Sequence, residues 1–167
     1  MGEVLWAPWR MDYILSEKNA GCIFCEKPRE QQDAANYILW RGRTTFVMLN
    51  RYPYNNAHLM VVPEAHVAVL SDLLPAQRGE LMEVAALCED VLQRALHPQG
   101  LNLGINLGEA AGAGIAEHLH LHIVPRWNGD TNYMTVVGEI RVMPQHLDQT
   151  YQLLLPYFAA QPPPVVP

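Results

Sequence analysis

Cysteine is scarce, with three in 167 residues. That is too few for a disulfide scaffold, so a reducing cytoplasm is the expected setting. Charge is scarce too, at 17% of residues, and its balance is acidic, with 11 Lys and Arg against 17 Asp and Glu. A net charge of −6 argues against a nucleic-acid binder that works by neutralising phosphates. A small phosphorylated substrate stays open, because a local site of neutral donors can hold one. No apolar run approaches the roughly 20 residues of a membrane span. The opening Met1-Gly2-Glu3-Val4-Leu5-Trp6 lacks the pattern of a signal peptide. Repeats are missing, as is any linker that would split the chain. What is present is 50% hydrophobic and suits one domain with a core of its own.

The stretch His118-Leu119-His120-Leu121-His122-Ile123-Val124 stands out. Strict alternation is the signature of a strand, with His118, His120 and His122 on one face and Leu119, Leu121 and Ile123 on the other. The aliphatic row can be buried against a core. Three imidazoles in line must each be hydrogen-bonded, metal-bound or put to work. Pro125-Arg126 is expected to end the strand, since proline cannot donate to a ladder. Glu117, just before it, should point to the opposite face.

Residues 1–20 read as an arm over the surface or a subunit interface, with stacking of Trp6 or Trp9 on a base as the sharper alternative. Residues 21–160 form the expected domain, and 161–167 a proline-rich tail. Cys22-Ile23-Phe24-Cys25 is a C-x2-C knuckle, open among a zinc pair, a redox pair and two buried thiols. Residues 26–35 read as loop. Strands are expected at 37–40 and 44–49, joined through Arg41-Gly42-Arg43, then at 58–62 and 101–107. His58 opens the third of these beside the turn-rich loop that starts at Asn50. Residues 75–97 should form the main helix, with Leu81, Ala85, Cys88, Leu92, Ala95 and Leu96 as its apolar stripe. Glu80, Glu83, Glu89 and Asp90 read as its solvated side. The glycine-rich run from Gly108 to Ile115 reads as a flexible loop whose N–H groups could face an anion. Short strands are expected at 133–137 and 139–142, and a last helix from Pro144 that Pro156 kinks or shortens.

Three readings of the histidines remain at this point. H-x-H on a strand is a known zinc spacing, so a metal-bound hydroxide is one. Covalent catalysis is a second: an imidazole of pKa about 6.5 is largely uncharged near neutrality and can attack phosphorus. His120, flanked on both sides, is then the natural nucleophile. Polar positions on a solvent-facing sheet are the third. The glycine loop, Asn106 and His58 all supply neutral donors, which favours phosphorus chemistry.

The triad followed by Pro125-Arg126 resembles the signature of the histidine-triad (HIT) nucleotide-binding family. Cys22–Cys25, Asn50 through Pro63, Asn106-Leu107-Gly108 and the triad all occur in the family's order. Asn106-Leu107-Gly108, Ala116-Glu117-His118-Leu119-His120 and Pro125-Arg126-Trp127 with Gly129-Asp130 and Asn132 are similar to the family's bacterial diadenosine tetraphosphate phosphorylases. The resemblance implies an α+β fold: an antiparallel sheet of about five strands, one long helix and a C-terminal helix, usually paired in a homodimer. It implies that His120 attacks the α-phosphate of a dinucleoside polyphosphate, forming a nucleotidyl-histidine that water or inorganic phosphate resolves. His118 and His122 complete the catalytic set. His122, His58, Asn50, Asn106 and the loop Gly112-Ala113-Gly114-Ile115 would contact substrate. A structural zinc would be held by Cys22, Cys25, His66 and His118, against the alternative of four unmetallated side chains. One departure stands out: the family's Gly-Gln-Ser/Thr-hydrophobic run is replaced by Gly112-Ala113-Gly114-Ile115, with one apparent insertion. Loss of that glutamine and hydroxyl shifts the expectation from hydrolysis towards phosphorolysis. The alternatives are a nucleoside phosphoramidate or adenylylated-metabolite hydrolase on the same site, or a nucleotide-binding adaptor with little turnover.

Overall fold

The computed structural model describes residues 21–130 and 145–162. Five strands run β1 (Ile38–Arg41), β2 (Thr45–Leu49), β3 (Leu59–Pro63), β4 (Gly100–Ile105) and β5 (Leu121–Arg126). They form one antiparallel sheet in the order β1-β2-β3-β5-β4. Among the described residues three α-helices accompany it: α1 (Ile23–Arg29), α2 (Pro75–Leu96) and α3 (Leu147–Ala159). Both expected strands beyond the triad, at 133–137 and 139–142, lie outside the described residues, as do Trp6, Trp9 and Asn132.

Period-two alternation divides the strands between two apolar clusters. Val47, Leu49, Leu59, Val61, Leu121 and Ile123 pack under α2 and α3 as the main core. Ile38, Phe46, Met48, Met60 and Val62 face the other way and gather around Phe24 of α1. The histidines share this second face, since His122 pairs with Met60 across the ladder. One row of β5 thus anchors the strand while the alternate row is presented to the smaller cluster.

The α2 stripe forms as expected, widened by Val84 and Val91. Pro75 starts the helix, and Gln77 accepts the Leu74 N–H at 2.9 Å. Its end is set by His97, in the left-handed conformation at φ 47°, and by Pro98 beyond it.

Several expectations are corrected. Residues 26–29, the start of the stretch read as loop, belong to α1, because Phe24 gives that helix an apolar anchor. β5 does end at Pro125-Arg126, but Pro125 still lies within the ladder: it pairs with Leu101, and β3 bonds only as far as Ile123, so this end of β5 is an edge on that side. The regular ladder begins at Leu121, after two of the three histidines. The last helix begins at Leu147 and continues past Pro156 to Ala159. The Gln152 carbonyl freed by that proline lies on the exposed face, where water can bond it.

Glu80 is not on the solvated side of α2. It is buried, and its carboxylate accepts bonds from the Arg43 and Thr44 N–H groups and from both threonine hydroxyls at 44 and 45, all within 3.0 Å. A Cβ at Gly42 would collide with Glu80 Oε1, so the β1–β2 turn needs glycine there. These bonds hold the Glu80 carboxyl below the usual carboxylate range in spite of its burial. Removing them leaves buried donors unmatched, so Glu80→Ala should cost about 3 kcal/mol. Urea unfolding checks this as a lower midpoint at unchanged slope.

Candidate functional site

The site lies where β3, β5 and α1 meet on the second face of the sheet. His118, His120 and His122 come from one extended run, and His58 from the residue that precedes β3. All four are buried. His118 and His120 keep the alternation although they precede the ladder, because Leu119 N–H bonds Val67 O at 2.7 Å and its side chain enters the main core.

Backbone partners determine which ring nitrogen of each histidine holds its proton. Nε2 of His118 lies 2.8 Å from Pro63 O and must donate to it, so Nδ1 keeps its lone pair. His120 has the opposite arrangement. Its Nδ1 donates to His118 O at 2.9 Å, which leaves the Nε2 lone pair available. At His58 the bond is reversed: Tyr54 N–H donates to Nδ1 at 3.0 Å, so the proton sits on Nε2. That Nε2–H donates to His122 Nδ1 at 2.9 Å and leaves His122 with its proton on Nε2. A nucleophilic nitrogen and a donor N–H therefore stand on neighbouring rings, with centroids 4.7 Å apart.

Burial keeps these rings uncharged. It lowers His118 and His120 below an ordinary imidazole, although the carbonyl bonded to each acts in the opposite sense. Burial, reinforced by the other rings, holds His58 down to about 3 and His122 down to about 4. Among the described residues no carboxylate bonds any of the four, and Glu117 is exposed.

The remaining candidates are placed as follows. Asn50 accepts Tyr52 N–H at 2.9 Å, and its Nδ2 lies 3.4 Å from His58 Nδ1, so it supports the loop and the same tautomer. Asn106 Nδ2 reaches Gly112 O at 3.4 Å and ties the end of β4 to the glycine loop. That loop is more ordered than its composition suggests. Glu109–Ala111 is a 3-10 turn, and the N–H groups of Ala111, Gly112 and Ala113 bond carbonyls inside it. These three N–H groups are therefore committed inside the loop and are not free for an anion. Ile115 packs on the Phe24 cluster. Two aromatics next to the histidines escaped the sequence reading. Phe24 has its ring 4.9 Å from His120 and 5.4 Å from His118, and Tyr54 lies 4.7 Å from His58. The only signal for Phe24 was its place between the two cysteines.

Cys22, Cys25, His66 and His118 converge, with their donor atoms all within 4.8 Å of one another. Cys22 Sγ is 3.2 Å and Cys25 Sγ 3.6 Å from His118 Nδ1, and Cys25 Sγ is 3.3 Å from His66 Nδ1. Bonds of about 2.3 Å to sulfur and 2.0–2.1 Å to nitrogen give an S···N tetrahedral edge of about 3.5 Å. One ion fits, and the His118 lone pair already points at it. Burial raises the Cys22 thiol, so an entering cation must displace its proton.

Comparison with known proteins agrees with this geometry. A HIT domain model matches residues 31–129. The AP-4-A phosphorylase of Mycobacterium tuberculosis is 40% identical over 95% of this chain and 85% of its own length. The asymmetrical bis(5'-nucleosyl)-tetraphosphatase of Schizosaccharomyces pombe is 28% identical over 56% of this chain and 50% of its own. Among solved structures, a Zn-bound histidine triad family protein from Mycobacterium smegmatis superposes with a TM-score of 0.67 at 28% identity, covering 83% of this chain and 94% of that one. The chain belongs to the HIT family, and these relatives set it among that family's enzymes. No helix among the described residues is long and apolar enough to cross a membrane.

Two outcomes are expected. Dialysis against a strong chelator should lower the melting temperature, read by calorimetry, and Cys25→Ser should remove most of that response. Stability should also depend on acidity through His58 and His122. Their folded pKa values of about 3 and about 4 lie below that of a free imidazole. The unfolded chain therefore binds more protons between about pH 6.5 and those values. Stability is complete above that window and falls on acidification through it, by at most about 1.4 kcal/mol per pH unit for each ring. Urea titrations at neutral pH and at about pH 5 check the slope.

Proposed function

We propose that this chain cleaves dinucleoside polyphosphates of the diadenosine tetraphosphate kind through a nucleotidyl-His120 intermediate, with inorganic phosphate preferred to water as acceptor. The observation that carries the reading is the opposed tautomers of His120 and His122. The lone pair on His120 Nε2 attacks the α-phosphorus, and the bond to the bridging oxygen breaks. A nucleoside polyphosphate leaves with that electron pair. His120 keeps its proton on Nδ1, and the His118 carbonyl stabilises the positive charge the ring acquires. The Nε2–H of His122, backed by His58, donates to a phosphoryl oxygen, while the segment from Gly114 onward and Asn106 border the phosphate chain.

The same tautomers bear on the leaving group and on the acceptor. The His58–His122 pair ends on a backbone N–H and so has no base behind it to pass a proton along. A polyphosphate leaves as a stable anion without being protonated, whereas the amine of a phosphoramidate needs a proton. Water as acceptor must lose a proton to a base, while inorganic phosphate attacks as the anion it already is. In that second step a phosphate oxygen bonds the α-phosphorus, the P–N bond breaks, and a nucleoside diphosphate and neutral His120 result. The glycine loop has Ala113 and Gly114 where the family pattern it resembles has glutamine and a hydroxyl, and those smaller residues would give that phosphate room. The phosphorylase activity in the name of the Mycobacterium tuberculosis relative supports this choice.

The ion at Cys22, Cys25, His66 and His118 is proposed to be structural zinc, as two thiolates and two imidazoles suit it and the Mycobacterium smegmatis neighbour is Zn-bound. Bound there, it supplies folding energy and cross-links the knuckle to the catalytic run. Because those thiolates are lost on oxidation, a cytoplasmic setting fits them. A homodimer is supported by β4, an edge strand with Leu103 exposed on it and Leu107 exposed just beyond its end.

His120→Asn should lower kcat by at least about 1,000-fold while nucleotide binding, read by calorimetry, persists. Wild-type protein with diadenosine tetraphosphate should release nucleoside diphosphate in the presence of phosphate and turn over slowly without it. Full phosphate-independent turnover in separated products would overturn the acceptor assignment.

A further inference from the structure

The run Pro125-Arg126-Trp127 with Gly129-Asp130 has no part in the chemistry above, yet Asp130 is one of the most heavily bonded carboxylates in the structure. Its two oxygens accept from Arg126 Nε at 2.7 Å and Arg126 Nη2 at 2.9 Å. They also accept from Asn55 Nδ2 at 2.8 Å and from the Trp127 N–H at 3.1 Å. The Asn55 side chain is held at every polar atom. Its Nδ2 also donates to Pro125 O at 3.0 Å, and its Oδ1 accepts the Asn56 N–H at 3.0 Å. A carboxylate and a carbonyl only accept, so Asp130 and Pro125 O together make Asn55 present its amide nitrogen and leave the oxygen for the loop's own backbone. Asn55 adjoins Tyr54, whose N–H sets the tautomer of His58 and through it that of His122. The Tyr54 ring also lies against both, 4.7 Å from His58 and 5.7 Å from His122.

We propose that Asp130 is a positioning residue for the phosphate-facing pair: by clipping Asn55 to the end of β5, it holds the Tyr54 peptide in the orientation that keeps the His122 proton on Nε2. The Arg126 bridge orients Asp130 for that task. Without the clip, the tie of the 50–58 loop to β5 is reduced to the Asn55–Pro125 bond or lost, and His58 Nδ1 is left with the longer contact to Asn50 Nδ2 in place of the Tyr54 N–H. His58 can then hold its proton on Nδ1, His122 can do the same, and the nitrogen facing the phosphate would carry a lone pair where a donor is needed. His120 is unaffected, because its proton is set by the carbonyl of His118 within its own segment. This inference rests on the phosphate-holding role proposed for His122.

The test uses the full chain with its metal, as wild type, Asn55→Ala and Asp130→Ala. Long-range proton–nitrogen correlation of the imidazoles, in the absence of substrate, reads the tautomer of each histidine directly. Steady-state kinetics with diadenosine tetraphosphate and phosphate then reads the consequence. Both variants should move the His58 and His122 nitrogen shifts towards a tautomer mixture and leave those of His120 in place. The value of kcat/KM should fall about tenfold, in kcat more than in KM, as for loss of an outer partner that orients a functional group. A purely structural clip would lower the melting temperature with all four rings unmoved and kcat within about twofold, and that result overturns the proposal. If Asp130→Ala does not fold, Asn55→Ala decides alone, since it leaves the Arg126–Asp130 bridge intact. Tautomer mixing with unchanged kinetics supports the clip and overturns instead the assignment of His122 to phosphate.

Discussion

A peptide carbonyl can only accept a hydrogen bond and a peptide N–H can only donate one. That one-way rule organises the site. Four neutral imidazoles crowded on one face could in principle share their protons in many ways. Pro63 O, His118 O and Tyr54 N–H leave a single arrangement. The chain thereby obtains a lone pair on His118 Nδ1 beside the two thiols, a free lone pair on His120 Nε2 and a donor on His122 from the same side chain at three alternate positions. Burial makes the arrangement durable, because charging any ring would mean placing a cation in a poorly solvated space. No carboxylate among the described residues is needed to orient the rings.

His118 belongs to two constellations at once. Its side chain completes the Cys22, Cys25 and His66 group, and its backbone oxygen orients the ring of His120. Phe24, on the short helix that carries Cys25, packs against both rings. The knuckle is thus a wall of the site as well as a candidate metal clasp. Covering this face also accounts for the second, smaller apolar cluster, which gives the histidines an environment dry enough to stay neutral.

The departures from expectation share a cause: partners far away in the chain that no local pattern reveals. Glu80 looked solvated because helical periodicity places it beside other acids, yet the β1–β2 turn surrounds its carboxylate with four donors. Pro125 looked like a terminator because proline cannot complete a two-sided ladder, and it is tolerated because β3 has already ended there. Flexibility was expected of the glycine loop on composition, whereas its own carbonyls take up its N–H groups.

Resemblance to the family implied the antiparallel α+β architecture, while the residues by themselves determined the long helix, the individual strands and the sharing of one face by three histidines. The latter three follow from periodicity, which is a local property of the chain. Family order further brought Cys22, Cys25, His66 and His118 into one group, and the fold sets their donor atoms together. Only the tertiary structure decided which nitrogen of each ring holds a proton. That choice depends on single backbone atoms at Pro63 and Tyr54, brought within about 3 Å by the packing of β3 against β5. Spacing in a sequence fixes which face a side chain occupies, but a tautomer is settled by the partner across the fold.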